Sequence, residues 1–184
     1  MSSTTEAQSE TVETRDAWTY LGLSNEAVET LRDELVSAVP DEWVRVDDAH
    51  ISILPGFNLP AQEMPKAIHV LEHIREHYAE TEIPVTGVEC FHELDEAEPS
   101  FVVKLDMEID LEAMREEQKA LIESYGGSLK YDPVEPHVTL FKAGDGGDEH
   151  EPLSDAQRSE LSEAIDNVDV PETLTVERVE AETF

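Results

Sequence analysis

Two short runs, His50-Ile51-Ser52 and His137-Val138-Thr139, each set an imidazole two residues from a hydroxyl. In a β-strand, residues i and i+2 project from the same face. Each run therefore offers one imidazole and one hydroxyl side by side, with Ile51 or Val138 turned to the opposite side. Imidazole titrates near neutrality, so one copy can accept a proton while the other donates one. Cleavage of a phosphodiester needs both events, one at the attacking water and one at the departing oxygen. The hydroxyls can donate to the non-bridging phosphoryl oxygens, where charge must be stabilised. Neither run brings a third metal ligand, so the scheme calls for no metal and no cofactor.

The tripeptides alone are a weak signal. The residue two after each of the seven histidines is Ser52, Leu71, Arg75, Ala79, Leu94, Thr139 and Pro152. With Ser and Thr at roughly one residue in eight, about one such hit is expected by chance. Half-buried structural histidines are the plain alternative. What raises the signal is where the runs fall.

The positioning elements read as follows. Residues 1 to 15 are polar and aperiodic, as expected of an acidic tail, and a single domain spans 16–184. A β-rich run begins near Ala17-Trp18-Thr19-Tyr20-Leu21. Ser24 reads as an N-cap, followed by Ala27, Val28, Leu31 and Leu35 at helical spacing. After Pro40 an extended run reaches His50 to Leu54 and stops at Pro55-Gly56. Met64, Ala67, Leu71, Ile74 and Tyr78 stripe a second helix, and Ile83 to Phe91 reads as a strand.

The second half repeats the order. Phe101 to Leu105 is a strand, a helix runs from Leu111 to Tyr125 and stops at Gly126-Gly127, and His137 to Phe141 is a strand. An acidic loop at 143–151 leads to Ser154-x-x-Gln157, a capping box. Thr173 to Val179 closes as a strand. Each half, about 17–92 and 100–181, reads strand, helix, strand, helix, strand, and the strand after the first helix carries the histidine. If the two strands face each other, two imidazoles and two hydroxyls converge on one cleft.

Charge narrows the partners. The 184 residues hold 44 Asp+Glu against 12 Lys+Arg, a formal net of -32. The acid is spread along the chain among 39% hydrophobic residues, which fits a folded protein adapted to the molar salt of a halophile. No basic cluster exists to hold nucleic acid non-specifically or to bind an anionic membrane. Cys90 alone excludes an internal disulfide framework. With no membrane-spanning stretch and no signal segment, the chain is expected to be a soluble, cytoplasmic monomer.

His73-Ile74-Arg75-Glu76-His77 spells an inverted zinc-protease signature, and His69 extends it. That row lies opposite the apolar stripe, as expected of a solvated face rather than a cleft. His92 fits a structural role, and His150 lies in the acidic loop. Gly144 to Asp148 lacks the ligand spacing of a calcium loop. Arg45, Lys130, Tyr131 and Lys142 are candidate anion contacts by proximity, but Lys142 has the wrong strand parity unless a bulge intervenes.

The order of elements, the paired His-apolar-Ser/Thr runs and the form Pro136-His137-Val138-Thr139-Leu140 resemble the 2H phosphoesterase superfamily. Its members include the 2′-5′ RNA ligase and RNA 2′,3′-cyclic phosphodiesterase family. The likeness covers roughly Trp18 to Val179, while Leu54-Pro55-Gly56-Phe57 departs from the aromatic and Leu-Gly continuation common among ligase-like members. It implies a bilobed α+β fold in which two antiparallel sheets form a central cleft with helices outside. It also implies metal-independent hydrolysis of 2′,3′-cyclic phosphates or 2′-5′ linkages on an RNA end or small nucleotide. In that scheme His50 and His137 are the acid-base pair, and Ser52 and Thr139 hold the phosphate. A non-catalytic nucleotide-binding module using the same cleft is the alternative.

Overall fold

The computed structural model describes residues 13–93, 100–131, 135–143 and 153–183. In chain order the elements are β1 (Thr14–Leu23), α1 (Glu26–Leu35), β2 (Trp43–Arg45), β3 (His50–Pro60), α2 (Met64–Tyr78) and β4 (Glu82–Glu93). Then follow β5 (Ser100–Met107), α3 (Glu112–Ser124), β6 (Ser128–Leu129), β7 (His137–Ala143), α4 (Asp155–Asn167) and β8 (Thr173–Thr183). The expected α+β, bilobed architecture is what forms. No helix among the described residues is long and apolar enough to cross a membrane.

The strands lie in the order β2-β7-β5-β4-β8-β1-β3-β6, and every pairing is antiparallel. The first residues of β4 pair with β8 and the rest pair with β5, so the order divides there into two four-stranded lobes. One lobe is β6-β3-β1-β8, with α2 and α3 packed on it. The other is β4-β5-β7-β2, with α1 and α4. The two sequence halves therefore intertwine. The first half sends α1, β2 and β4 to the second lobe, and the second half sends α3, β6 and β8 to the first. Each lobe's inner face is built from both halves, so neither half can bury its apolar face alone.

Period-two alternation fixes the faces. Along β1, Ala17, Thr19, Leu21 and Leu23 are buried in the core beneath the helices. Along β3, Ile51, Ile53, Leu54, Phe57 and Leu59 join them. In β5 and β7 the same role falls to Val103, Leu105, Val138, Leu140 and Phe141. The alternation slips at corresponding places in β3 and β7, where Ile53-Leu54 and Leu140-Phe141 are consecutive buried pairs. Both slips are bulges, since Thr19 pairs with Leu54 but Tyr20 with Ser52, while Val103 pairs with Phe141 but Lys104 with Thr139.

Several local expectations change. β3 runs through Pro55-Gly56 to Pro60 instead of stopping there. A second register shift between Ala17 and Thr19 lies opposite Pro55, the kind of irregularity in which a strand accepts a residue lacking N–H. Helix α1 is preceded by Asn25 rather than capped by Ser24, whose hydroxyl instead accepts from the Thr175 amide of β8. Thr14 and Arg15 are already in β1, paired with Pro60 and Leu59. The Ser154 capping box forms as expected. Gly126 has φ 78°, the left-handed conformation that ends α3. Residues 1–12 of the tail, residues 144–151 of the acidic loop, and the side chains of His69, His73, His92 and His150 lie outside the described residues.

Candidate active site

The leading ends of β3 and β7 approach each other across the two lobes, beyond the reach of the short strands β6 and β2. His50 and His137 sit on those ends, both half-buried, and close enough that charge on His137 opposes charge on His50. Ser52 and Thr139 follow on the same faces and are also half-buried. The fold thus brings the two histidine runs together where β3 and β7 meet.

Each imidazole is tied through Nδ1. His137 Nδ1 lies 2.8 Å from the carbonyl oxygen of Glu135. A carbonyl only accepts, so this nitrogen carries the hydrogen and the neutral ring keeps its lone pair on Nε2. His50 Nδ1 faces Asp48, whose Oδ2 stands 3.4 Å away. That is an ion-pair separation rather than a close hydrogen bond, and Nδ1 has no shorter partner among the described residues.

The electrostatics around the rings differ. Burial pushes both imidazoles below their ordinary pKa. At His50 the Asp48 carboxylate and carbonyl oppose that shift, while His137 adds to it. At His137 the Glu135 carbonyl opposes it, Lys104 and Arg115 add to it, and Asp106 opposes it.

The stations opposite the hydroxyls are matched. Tyr20 pairs with Ser52, and its hydroxyl lies 2.7 Å from Glu180 Oε2 and 2.9 Å from Glu182 Oε1 of β8, its one proton shared between the two carboxylates. Lys104 pairs with Thr139, and its ammonium meets Glu89 of β4 at 2.8 Å and Asp106 at 2.9 Å. Burial pushes the Tyr20 phenol pKa up and the two carboxylates push it further, so it stays a neutral donor. Burial works against the Lys104 charge, yet Glu89 and Asp106 hold its pKa above the ordinary value. Trp18 completes the wall by His50, with ring centroids 4.6 Å from Tyr20 and 5.0 Å from His50.

The bulge in β3 is itself braced. Thr19 Oγ1 accepts from the Leu54 amide at 3.3 Å and donates to Gln118 of α3 at 3.1 Å. Arg115 of α3 donates to the carbonyls of Ile53 at 2.9 Å and Ser52 at 3.2 Å. The bulge in β7 turns Lys142 to the same face as Thr139, because Lys142 pairs with Val102 and Thr139 with Lys104. Arg45 is engaged by Glu29, Asp33 and Asp47, and Lys130 by Asp16 at 2.5 Å, so these two serve ion pairs. Tyr131 is 60% exposed. His77 of the helical row is exposed as expected. Among the described residues no three His, Cys, Asp or Glu are grouped to hold a metal ion.

Sequence reasoning missed Asp48, Arg115 and Tyr20. Asp48 had a signal, since it precedes His50 by two residues and shares its face. Arg115 had none, because its partners are distant in the chain.

A search of curated proteins returned no match. Among solved structures, Usb1 of Kluyveromyces marxianus is similar at 11% identity and a TM-score of 0.45, covering 90% of this chain and 96% of that one. The same protein with uridine monophosphate is similar at 10% identity and a TM-score of 0.43, covering 82% and 80%. The family model described as the 2′-5′ RNA ligase superfamily matches residues 21–180, from near the end of β1 through most of β8 and including both histidine runs. The chain belongs to the 2′-5′ RNA ligase superfamily.

Proposed function

We propose that the chain is a phosphodiesterase that opens 2′,3′-cyclic phosphates, or cleaves 2′-5′ linkages, on RNA ends or small nucleotides. His50 and His137 act as general acid and base, and Ser52 and Thr139 hold the phosphate. The observation that carries this reading is the proximity of two imidazoles, one bonded through Nδ1 to a carbonyl and the other with Nδ1 beside a carboxylate, each two residues from a hydroxyl on its strand. Binding alone would need no second copy of that pair.

The surroundings favour one division of labour. His137, with cations Lys104 and Arg115 about it and a carbonyl on Nδ1, is suited to be neutral and to take a proton from water on Nε2. His50, with a carboxylate at Nδ1 working against the effect of burial, is the better suited of the two to carry a proton. Water oxygen then bonds to phosphorus as the bond from phosphorus to the ribose oxygen breaks. The water proton goes to His137, and the departing oxygen takes the proton of His50. Ser52 and Thr139 donate to the non-bridging oxygens, and the charge of Lys104 lies beside Thr139.

The test is an assay in molar KCl, with and without EDTA, offering a 2′,3′-cyclic nucleotide and a 2′-5′-linked dinucleotide side by side. Turnover of either, indifferent to the chelator, is expected. Binding of the cyclic nucleotide without turnover at any pH would instead identify a binding module.

A further inference from the structure

The Asp48 carboxylate facing His50 is held from its other side. Asp48 Oδ1 accepts from Arg178 Nη2 at 2.5 Å. Arg178 Nε donates to Glu180 Oε2 at 2.7 Å, and the same oxygen accepts the Tyr20 hydroxyl at 2.7 Å. The Tyr20 ring returns to His50 at a centroid distance of 5.4 Å. His50, Asp48, Arg178, Glu180 and Tyr20 form a closed circuit around one imidazole.

Each residue type in the circuit has a reason. Asp48 is 49% exposed, so packing does not restrain its carboxylate, and water competes for it. A guanidinium engages two carboxylates through a planar fork, which fixes direction as well as charge. Gly22 makes room for that fork. It pairs with His50 on one side and Arg178 on the other, and a Cβ there would lie 2.5 Å from Arg178 Cγ and 2.7 Å from Cζ. The corresponding station of the other lobe pairs Asp106 with Gly87, so His137 has no equivalent clamp.

We propose that Arg178 is a positioning residue for His50, holding the Asp48 carboxylate against Nδ1 so that the ring presents Nε2 to the cleft. The proposal rests on the two-histidine reading of the site. Besides Asp48, the charged and titratable groups facing His50 are Tyr20 of β1, Arg178 and Glu180 of β8, His137 of β7, and Arg115 of α3 on the carbonyls beyond it. Arg178 acts through Asp48, and its own charge works the other way. A cation this near would by itself drive protons off His50.

That opposition of signs makes the experiment decisive. The titration of His50 and His137 is followed by NMR of the imidazole ring in molar KCl, with no substrate present. Asp48→Asn is expected to lower the His50 midpoint by about one unit, the scale of an opposite charge at this range. Arg178→Ala is expected to lower it too, although a positive charge has been removed, because Asp48 is released to water. Gly22→Ala pushes Arg178 aside with every charge kept, and is expected to give the same fall even should Arg178→Ala not fold. Asp48→Asn combined with Arg178→Ala should fall no further than Asp48→Asn alone, because without Asp48 the loss of Arg178 removes only a repelling charge. Arg178→Lys keeps the charge without the fork and should restore no more than part of the shift. A His50 midpoint that rises or stays in Arg178→Ala or Gly22→Ala, or additive shifts in the double variant, overturns the proposal. Absence of turnover by the unaltered protein overturns the phosphodiesterase reading instead, and leaves these midpoints readable.

Discussion

Tyr20 and Lys104 occupy the same station of the two lobes, each directly across the ladder from a cleft hydroxyl and each bonded to a glutamate of the next strand. One is a neutral donor and the other a cation. The fold is repeated, but its electrostatics are not, and the cationic station lies beside His137.

From that difference follows the first expectation. Lys104→Met removes positive charge from beside Thr139 and leaves Glu89 and Asp106 without this partner. kcat/KM at neutral pH should fall by about 10²-fold. Loss of the cation also raises the His137 pKa, so the limb of the pH-rate profile that requires neutral His137 should move to higher pH. Tyr20→Phe, which deletes no charge, should leave that limb in place. A Lys104→Met profile that falls without moving would separate phosphate contact from tuning of the base.

The hydroxyls give the second. Ser52→Ala and Thr139→Val should each reduce kcat by about 10²-fold or more while the protein binds a cyclic nucleotide with little change, because the bonds strengthen as charge develops on the phosphoryl oxygens. Thr139→Ser should retain activity. Kinetics together with equilibrium binding decide this, and a loss confined to KM would show that the hydroxyls merely bind.

How far the sequence reached follows from the range of each interaction. The histidine runs, the strands that carry them and the Ser154 capping box were legible because each is written within a few residues. The exchange of α1, β2 and β4 for α3, β6 and β8 was not, since the alternation of Thr173 to Val179 says which face is buried but not which strand lies alongside. The bulges left a trace in the consecutive apolar pairs Ile53-Leu54 and Leu140-Phe141, and only the partner strand turns that trace into a reversal of parity for Lys142. Ser24 shows the limit of capping rules, because its hydroxyl goes to Thr175, from the far end of the chain. Arg178 and Asp48 are 130 positions apart, and no local pattern marks them as a pair.

Stability should depend on pH through the two site histidines. Both are held below their ordinary pKa in the folded state, chiefly by burial. The unfolded chain therefore binds more protons than the native one as pH falls through the unfolded value near 6.5. Their contribution is complete above that pH and is lost as pH falls through the folded values. The melting temperature should drop between pH 7 and pH 5, and the double variant His50→Gln, His137→Gln should flatten that dependence. An unchanged slope would mean that other groups dominate acid unfolding.

Net charge leads to a further expectation. At -32 the folded chain repels itself, and molar salt shortens the screening length to about 3 Å. The melting temperature should climb as KCl is raised from millimolar to molar. Insensitivity to KCl would show that the acid is distributed so that repulsion hardly matters.

The central claim is that two facing imidazoles move protons at one phosphorus. Its most direct measurement is kcat for a 2′,3′-cyclic nucleotide in molar KCl with His50→Ala and His137→Ala, each verified as folded by circular dichroism. Removal of a general acid or base costs about 10² to 10⁴-fold, and each variant should lose activity on that scale. Turnover retained in full by both single variants would contradict the account.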